Sequence, residues 1–100
     1  MTPETQLKKA IKQFLTGFRI FHFPVLQGLG AHKGIADILG IYNGQFLAIE
    51  VKAPKGRLSD YQKIFLDRVK AEGGIAITAY CIDDVINGLG LQDRFKTKGG

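Results

Sequence analysis

Residues 35–53 read Ile35-Ala36-Asp37-Ile38-Leu39-Gly40-Ile41-Tyr42-Asn43-Gly44-Gln45-Phe46-Leu47-Ala48-Ile49-Glu50-Val51-Lys52-Ala53. Two apolar, β-branched runs flank Asn43-Gly44, the dipeptide best suited to a two-residue turn whose central positions both need positive φ. The spacing predicts an antiparallel hairpin with arms at 35–42 and 45–53. With Asn43 and Gly44 as the loop, Tyr42 faces Gln45 and, counting outward, Asp37 faces Glu50. Directly opposed residues project to one face. Glu50 and Lys52, two positions apart on a strand, share a face as well. Two carboxylates and one ammonium are therefore expected to converge inside otherwise apolar strands.

Outward from the hairpin, residues 3–16 read as a helix. Thr2 can cap it, Pro3 suits the first helical position, and Leu7, Ile11, Phe14 and Leu15 recur at helical spacing before Gly17 ends it. Phe18 to Leu26 is aromatic and β-branched, as in a strand, and runs into an exposed glycine-bearing loop from Gln27 to Gly34. After the hairpin, Pro54 to Gly56 breaks the chain. Ser59 opens a second helix to about Glu72, with Tyr61, Ile64, Phe65 and Val69 as its apolar stripe. Gly73-Gly74 stops it, and Ile75 to Ile82 reads as a buried strand that closes a βαβ crossover. Asp83 is placed to cap a last short helix, and residues 94–100 read as a frayed basic tail with Arg94, Lys96 and Lys98. The expected fold is α/β, in the order α-β-β-β-α-β-α, with a mixed central sheet flanked by helices in one domain over residues 1–100.

Composition narrows the function. Fourteen Lys and Arg against nine Asp and Glu give a net charge of +5, which favours a polyanionic partner where the cations gather on one face. No apolar run reaches the length of a membrane span and no leader is visible at the N-terminus, so a soluble, intracellular protein without a membrane partner is expected. Cys81, with only His22 and His32 beside it in composition, offers neither an internal disulfide nor a zinc-ligand spacing. The two histidines read as surface residues or phosphate contacts.

A carboxylate and an ammonium on a half-buried strand each lose several kcal/mol of hydration unless paired, hydrogen-bonded or metal-bound. One reading of Glu50 and Lys52 is a structural ion pair at the sheet edge. Asp37 changes the balance: adjacent carboxylates repel unless a cation lies between them, and hard oxygen donors suit Mg²⁺, which keeps its other positions for water and phosphate oxygens.

Asp37 followed by Glu50-Val51-Lys52 resembles the PD-(D/E)XK nuclease superfamily, whose signature is an acid on one strand and acid-x-lysine on the next. The resemblance is closer to the VRR-NUC (virus-type replication-repair nuclease) family, through Gly34-Ile35-Ala36-Asp37, Asn43-Gly44, Ala48-Ile49-Glu50-Val51-Lys52 and Gly56-Arg57-Leu58-Ser59 with Gln62. Ala36 stands where the superfamily name carries proline, which shapes backbone rather than chemistry. The resemblance implies a restriction-endonuclease-like fold. It also implies Mg²⁺ or Mn²⁺ held by Asp37, Glu50, the Val51 carbonyl and Glu4 of the first helix, with Lys52 and Gln62 as catalytic partners. Glu4 also falls on the stripe of Leu7, Ile11 and Phe14, although any acid in a first helical turn is favoured by the helix dipole. Ser59 and Gln62 form a capping box, which accounts for Gln62 without catalysis. Lys33, Lys55, Arg57 and Lys63 flank the site and can grip backbone phosphates, the alternative being a solvated basic rim. Tyr61 reads as a core residue rather than a base-stacking platform.

By the same resemblance the expected reaction is phosphodiester hydrolysis on branched DNA, with resolution of four-way (Holliday) junctions by a homodimer, in phage or bacterial replication and repair. The rival readings are a flap or general structure-selective nuclease, an inactive DNA-binding module of the same fold, and an unrelated basic α/β interaction protein.

Overall fold

The computed structural model describes residues 1–26 and 32–95. Most of the expected glycine-bearing loop (27–31) and of the basic tail (96–100, with Lys96 and Lys98) lies outside the described residues. Helix α1 (Pro3–Gly17) leads into strand β1 (Phe21–Pro24). The hairpin strands β2 (Ile38–Tyr42) and β3 (Gln45–Val51) follow, then helix α2 (Asp60–Ala71), strand β4 (Ile75–Ala79), helix α3 (Ile82–Gly88) and a short 3-10 turn at Gln92–Phe95. The sheet order is β1-β2-β3-β4, antiparallel across the first two pairs and parallel between β3 and β4. The α-β-β-β-α-β-α order and mixed sheet are those read from the sequence.

The counted register holds. Tyr42 pairs with Gln45 and Ile38 with Ile49, and Asn43 and Gly44 take φ of 51° and 78°, the conformation that matches the right-handed twist of the flanking strands.

Strand alternation divides the apolar residues between two cores. Ile38, Leu47, Ile49, Val51, Ile77 and Ala79 face Ile11 and Leu15 of α1 and Val85 and Ile86 of α3. Leu39 and Ala48 face Leu66 and Val69 of α2. No helix among the described residues is long and apolar enough to cross a membrane.

Five expectations are corrected. The first strand begins at Phe21, not Phe18: Phe18 caps α1, Arg19 takes a left-handed φ of 57°, and the Ile20 amide bonds back to the Leu15 carbonyl, so these residues terminate the helix. The hairpin arms are shorter than 35–42 and 45–53, and Asp37 and Lys52 each sit one residue beyond the ladder. In α2 the buried pair is Leu66 and Val69, whereas Tyr61 and Ile64 are exposed, because the helix phase follows the small Ala48 beneath it. Helix α3 is capped by Cys81 without a side-chain bond, and Asp84 rather than Asp83 anchors the turn by accepting the Tyr80 amide at 2.8 Å. The last strand accordingly ends at Ala79, not Ile82.

Candidate active site

Asp37 reaches the end of the sheet from a bend. Its Oδ2 accepts the Val51 N–H at 2.8 Å, so its side chain takes a donor that a longer β2 ladder would have used. This local competition ends the strand and aims the carboxylate at β3. The other oxygen, Oδ1, lies 3.3 Å from the Lys8 Nζ of α1. Upstream, Gly34 has φ of 74°, and a Cβ there would fall 2.2 Å from the Tyr61 carbonyl, so only glycine lets the approach to Asp37 pass so close to the start of α2.

Glu50 is the one buried charged residue among those described, at 3% exposure. Its Oε2 accepts from Gln62 Nε2 at 3.0 Å and faces Lys52 Nζ at 3.5 Å. Its Oε1 is buried without a hydrogen-bond partner among the described residues. Burial first, and the neighbouring Asp37 charge second, push the Glu50 carboxyl up to about 7, against the smaller opposing pull of Lys52. Two acids therefore stand side by side, each facing one lysine, and the buried one carries an oxygen that neither lysine satisfies.

Gln62 serves two partners at once. Its Oε1 accepts the Ser59 N–H at 2.9 Å while its own backbone N–H donates to Ser59 Oγ at 3.1 Å, and its Nε2 remains to donate to Glu50. The capping box thus holds the amide in one orientation: the oxygen must face the Ser59 donor, leaving the nitrogen for the carboxylate. Helix capping and service to the site coexist without movement.

Lys52 is bound to the sheet by its backbone N–H, which donates to the Ala79 carbonyl at 2.9 Å. The following turn closes on it through the Gly56 amide bond to Ala53, and the Tyr80 hydroxyl donates to the Gly56 carbonyl at 2.9 Å. Tyr80 was not singled out from the sequence, and nothing in its local pattern marks it.

Lys8 was also missed, and it is the side chain that joins α1 to the site. Its Nζ lies 3.4 Å from Glu4 Oε2 as well as 3.3 Å from Asp37. Partial burial disfavours its charge, yet Asp37 and Glu4 together outweigh that and raise the ammonium above its ordinary value. The i, i+4 spacing from Glu4 was the available signal. Glu4 itself is brought towards the site only through this lysine.

Among the described residues, no group of three or more His, Cys, Asp or Glu is gathered at metal-binding distance. Asp37 and Glu50 converge; Glu4 stands behind Lys8. Even so, the donor set suits a divalent cation, because the partnerless Glu50 Oε1 is a hard oxygen beside a second carboxylate. Val51 contributes its N–H to Asp37.

Lys55, Arg57 and Lys63 are exposed on the loop after Lys52 and on the first turn of α2. Lys33 is exposed too, and its Nζ donates to the Tyr61 hydroxyl at 3.3 Å and lies 4.4 Å from that ring's centroid. Tyr61, read as core from the sequence, is instead a surface aromatic carrying a cation, one residue from Gln62. The histidines stand apart from the acids: His22 bonds the Ile20 carbonyl, and His32 bonds the Lys33 carbonyl and lies near Phe65.

The profile of the VRR-NUC domain family matches residues 26–81. That span contains Asp37, Glu50, Lys52 and Gln62 and excludes Glu4 and Lys8. No curated protein matches the chain.

Proposed function

The chain belongs to the VRR-NUC domain family, and from that premise we propose that it is a metal-dependent, structure-selective endonuclease that resolves four-way DNA junctions as a homodimer. Membership makes it a nuclease of the PD-(D/E)XK type acting on DNA. The observation that carries the metal-dependent reading is the buried, partnerless Oε1 of Glu50 beside Asp37. A plain Glu50–Lys52 ion pair leaves that oxygen without a partner, whereas a shared Mg²⁺ or Mn²⁺ would supply one.

When bound, such a cation polarises the scissile phosphate and lowers the pKa of a coordinated water. Asp37 and Glu50 would supply its oxygens, with the Val51 carbonyl and, on displacement of Lys8, Glu4 as further donors. The Val51 N–H holds Asp37 and the Gln62 amide holds Glu50, so neither carboxylate needs to reorganise. Lys52, fixed by its backbone bond to Ala79, offers an ammonium that neutralises charge on the phosphate or orients the attacking water. Lys33, Lys55, Arg57 and Lys63 grip flanking phosphates. The setting proposed for that substrate is a bacterial or phage-infected cell.

The test is incubation of the purified protein with a labelled synthetic four-way junction and Mg²⁺, with Glu50→Ala in parallel. Paired symmetric nicks, absent from Glu50→Ala and abolished by EDTA, are expected. Nicking of flaps but not junctions would replace the substrate while keeping the enzyme class. Junction binding without cleavage in any divalent metal would reduce the chain to a binding module.

A further inference from the structure

Among the described residues, the face of the sheet that carries α2 is only partly covered. Helix α2 packs on β3 and β4, and over the rest of that face Phe21, Ile41 and Phe46 are register partners across β1, β2 and β3. They form a transverse apolar row, 64%, 51% and 45% exposed. Phe23 extends it along β1, its ring 6.0 Å from that of Phe21. Beyond Phe46 the row runs into a groove of about 950 Å³ between the start of β3 and α2, lined in part by Phe46, Ile64 and Phe65.

Five side chains (Phe21, Phe23, Ile41, Phe46 and Ile64), each about half exposed, present roughly 500 Å² of apolar surface. A patch of that size lies at the upper end for a monomer. It also equals the apolar share, roughly 60%, of the ~800 Å² that each partner buries in a stable complex of ordinary size. The row contains no cation to meet a phosphate. Phe46 lies four residues, roughly 13 Å, up the strand from Glu50, so the DNA and this face occupy different ends of the sheet.

We propose that this face pairs with the same face of a second copy of the chain, about a two-fold axis running along β2 over Ile41. The face is self-complementary about that axis. Ile41 meets its own copy, and because Phe21 and Phe46 flank it at equal strand spacings, Phe21 of each protomer lies over Phe46 and the groove of the other. The edge strand β1 of one copy then nests beside α2 of its partner, burying Ile64, at the ~10 Å spacing of packed sheets. A rotation about an axis parallel to the strands preserves height along them. Both Glu50 ends therefore point the same way and present two sites to one DNA, whereas an axis across the strands would send them to opposite ends.

This inference rests on the homodimer reading, and one experiment separates the two. The full chain is sized by light scattering, and twice the 11.0 kDa of one chain is expected. Ile41→Glu buries a carboxylate against its own copy and should weaken dimerisation roughly 1,000-fold or more, with the circular dichroism of the wild type. In a Cys81→Ser background, Ile41→Cys should be joined to its copy by a short bismaleimide, the sheets standing too far apart for a direct disulfide. Thr16→Cys, on the helix of the opposite face, should not. A monomeric wild type overturns the homodimer reading itself. A dimer that Ile41→Glu leaves intact, with no crosslinking of Ile41→Cys above that of Thr16→Cys, overturns this surface and leaves the dimer standing; should Ile41→Glu fail to fold, the crosslink decides.

Discussion

The buried Glu50 makes the metal-free protein's stability fall as pH rises, opposite to the usual behaviour of a paired carboxylate. Its folded-state carboxyl is raised from 4.5 to about 7, so the folded chain holds that proton more tightly than the unfolded chain. The contribution is complete below pH 4.5 and is lost progressively as pH climbs through about 7. At about 1.4 kcal/mol per unit, the shift amounts to roughly 3 kcal/mol. For a domain of this size that corresponds to a melting temperature lower by on the order of 10 °C or more at pH 8.5 than at pH 5. The assay is thermal melting by circular dichroism across that range in EDTA, for the wild type and Glu50→Gln. Gln fits the site: its amide oxygen can meet the Gln62 and Lys52 donors that face Oε2, leaving the amide nitrogen for the Oε1 side. Its melting temperature should be nearly flat over this window and exceed that of the wild type at high pH. Saturating Mg²⁺ should restore the wild type at pH 8.5 and do little for Glu50→Gln, because a ligand that binds only the folded, ionised site adds its binding energy there. A wild type that gains stability between pH 5 and 8.5 in EDTA, or a Glu50→Gln variant with the same slope, would refute the reasoning.

Three further outcomes follow from the geometry. Asp37→Ala removes the acceptor of the Val51 N–H and should cost about 1–3 kcal/mol in chemical denaturation; Asp37→Asn keeps an acceptor and should recover most of that stability while cleavage stays lost. Ser59→Ala should cost about 1 kcal/mol through the lost cap and leave cleavage near wild type, whereas Gln62→Ala should also strip a donor from Glu50 and move the acidic limb of the pH–rate profile upward. Lys8→Met removes an ammonium that holds Asp37 and Glu4 in the cation's absence, so Mn²⁺ affinity by calorimetry should tighten several-fold; unchanged or weaker binding would mean that Lys8 does not compete.

Much of the site was legible because its decisive features are short-range. Asn43-Gly44 dictates a tight turn through backbone sterics alone, and a tight turn fixes pairing, so the opposition of Asp37 and Glu50 could be counted. Ser59 and Gln62 announce their own capping box. The periodicity of α2 was less reliable. Tyr61, Ile64, Phe65, Leu66 and Val69 offer more apolar positions than one helix face can bury, and only the sheet beneath selects Leu66 and Val69.

What the sequence determined by itself was therefore the element order, the hairpin register and the shared side of Glu50 and Lys52, all consequences of bonds and sterics between near neighbours in the chain. Tertiary structure alone decided that Lys8 of α1 meets Asp37 and that, among the described residues, one oxygen of Glu50 is buried without a partner and a row of aromatic and aliphatic side chains stays exposed. Each of these depends on where separate elements come to rest against one another, and packing between distant segments leaves no period or spacing to read in advance.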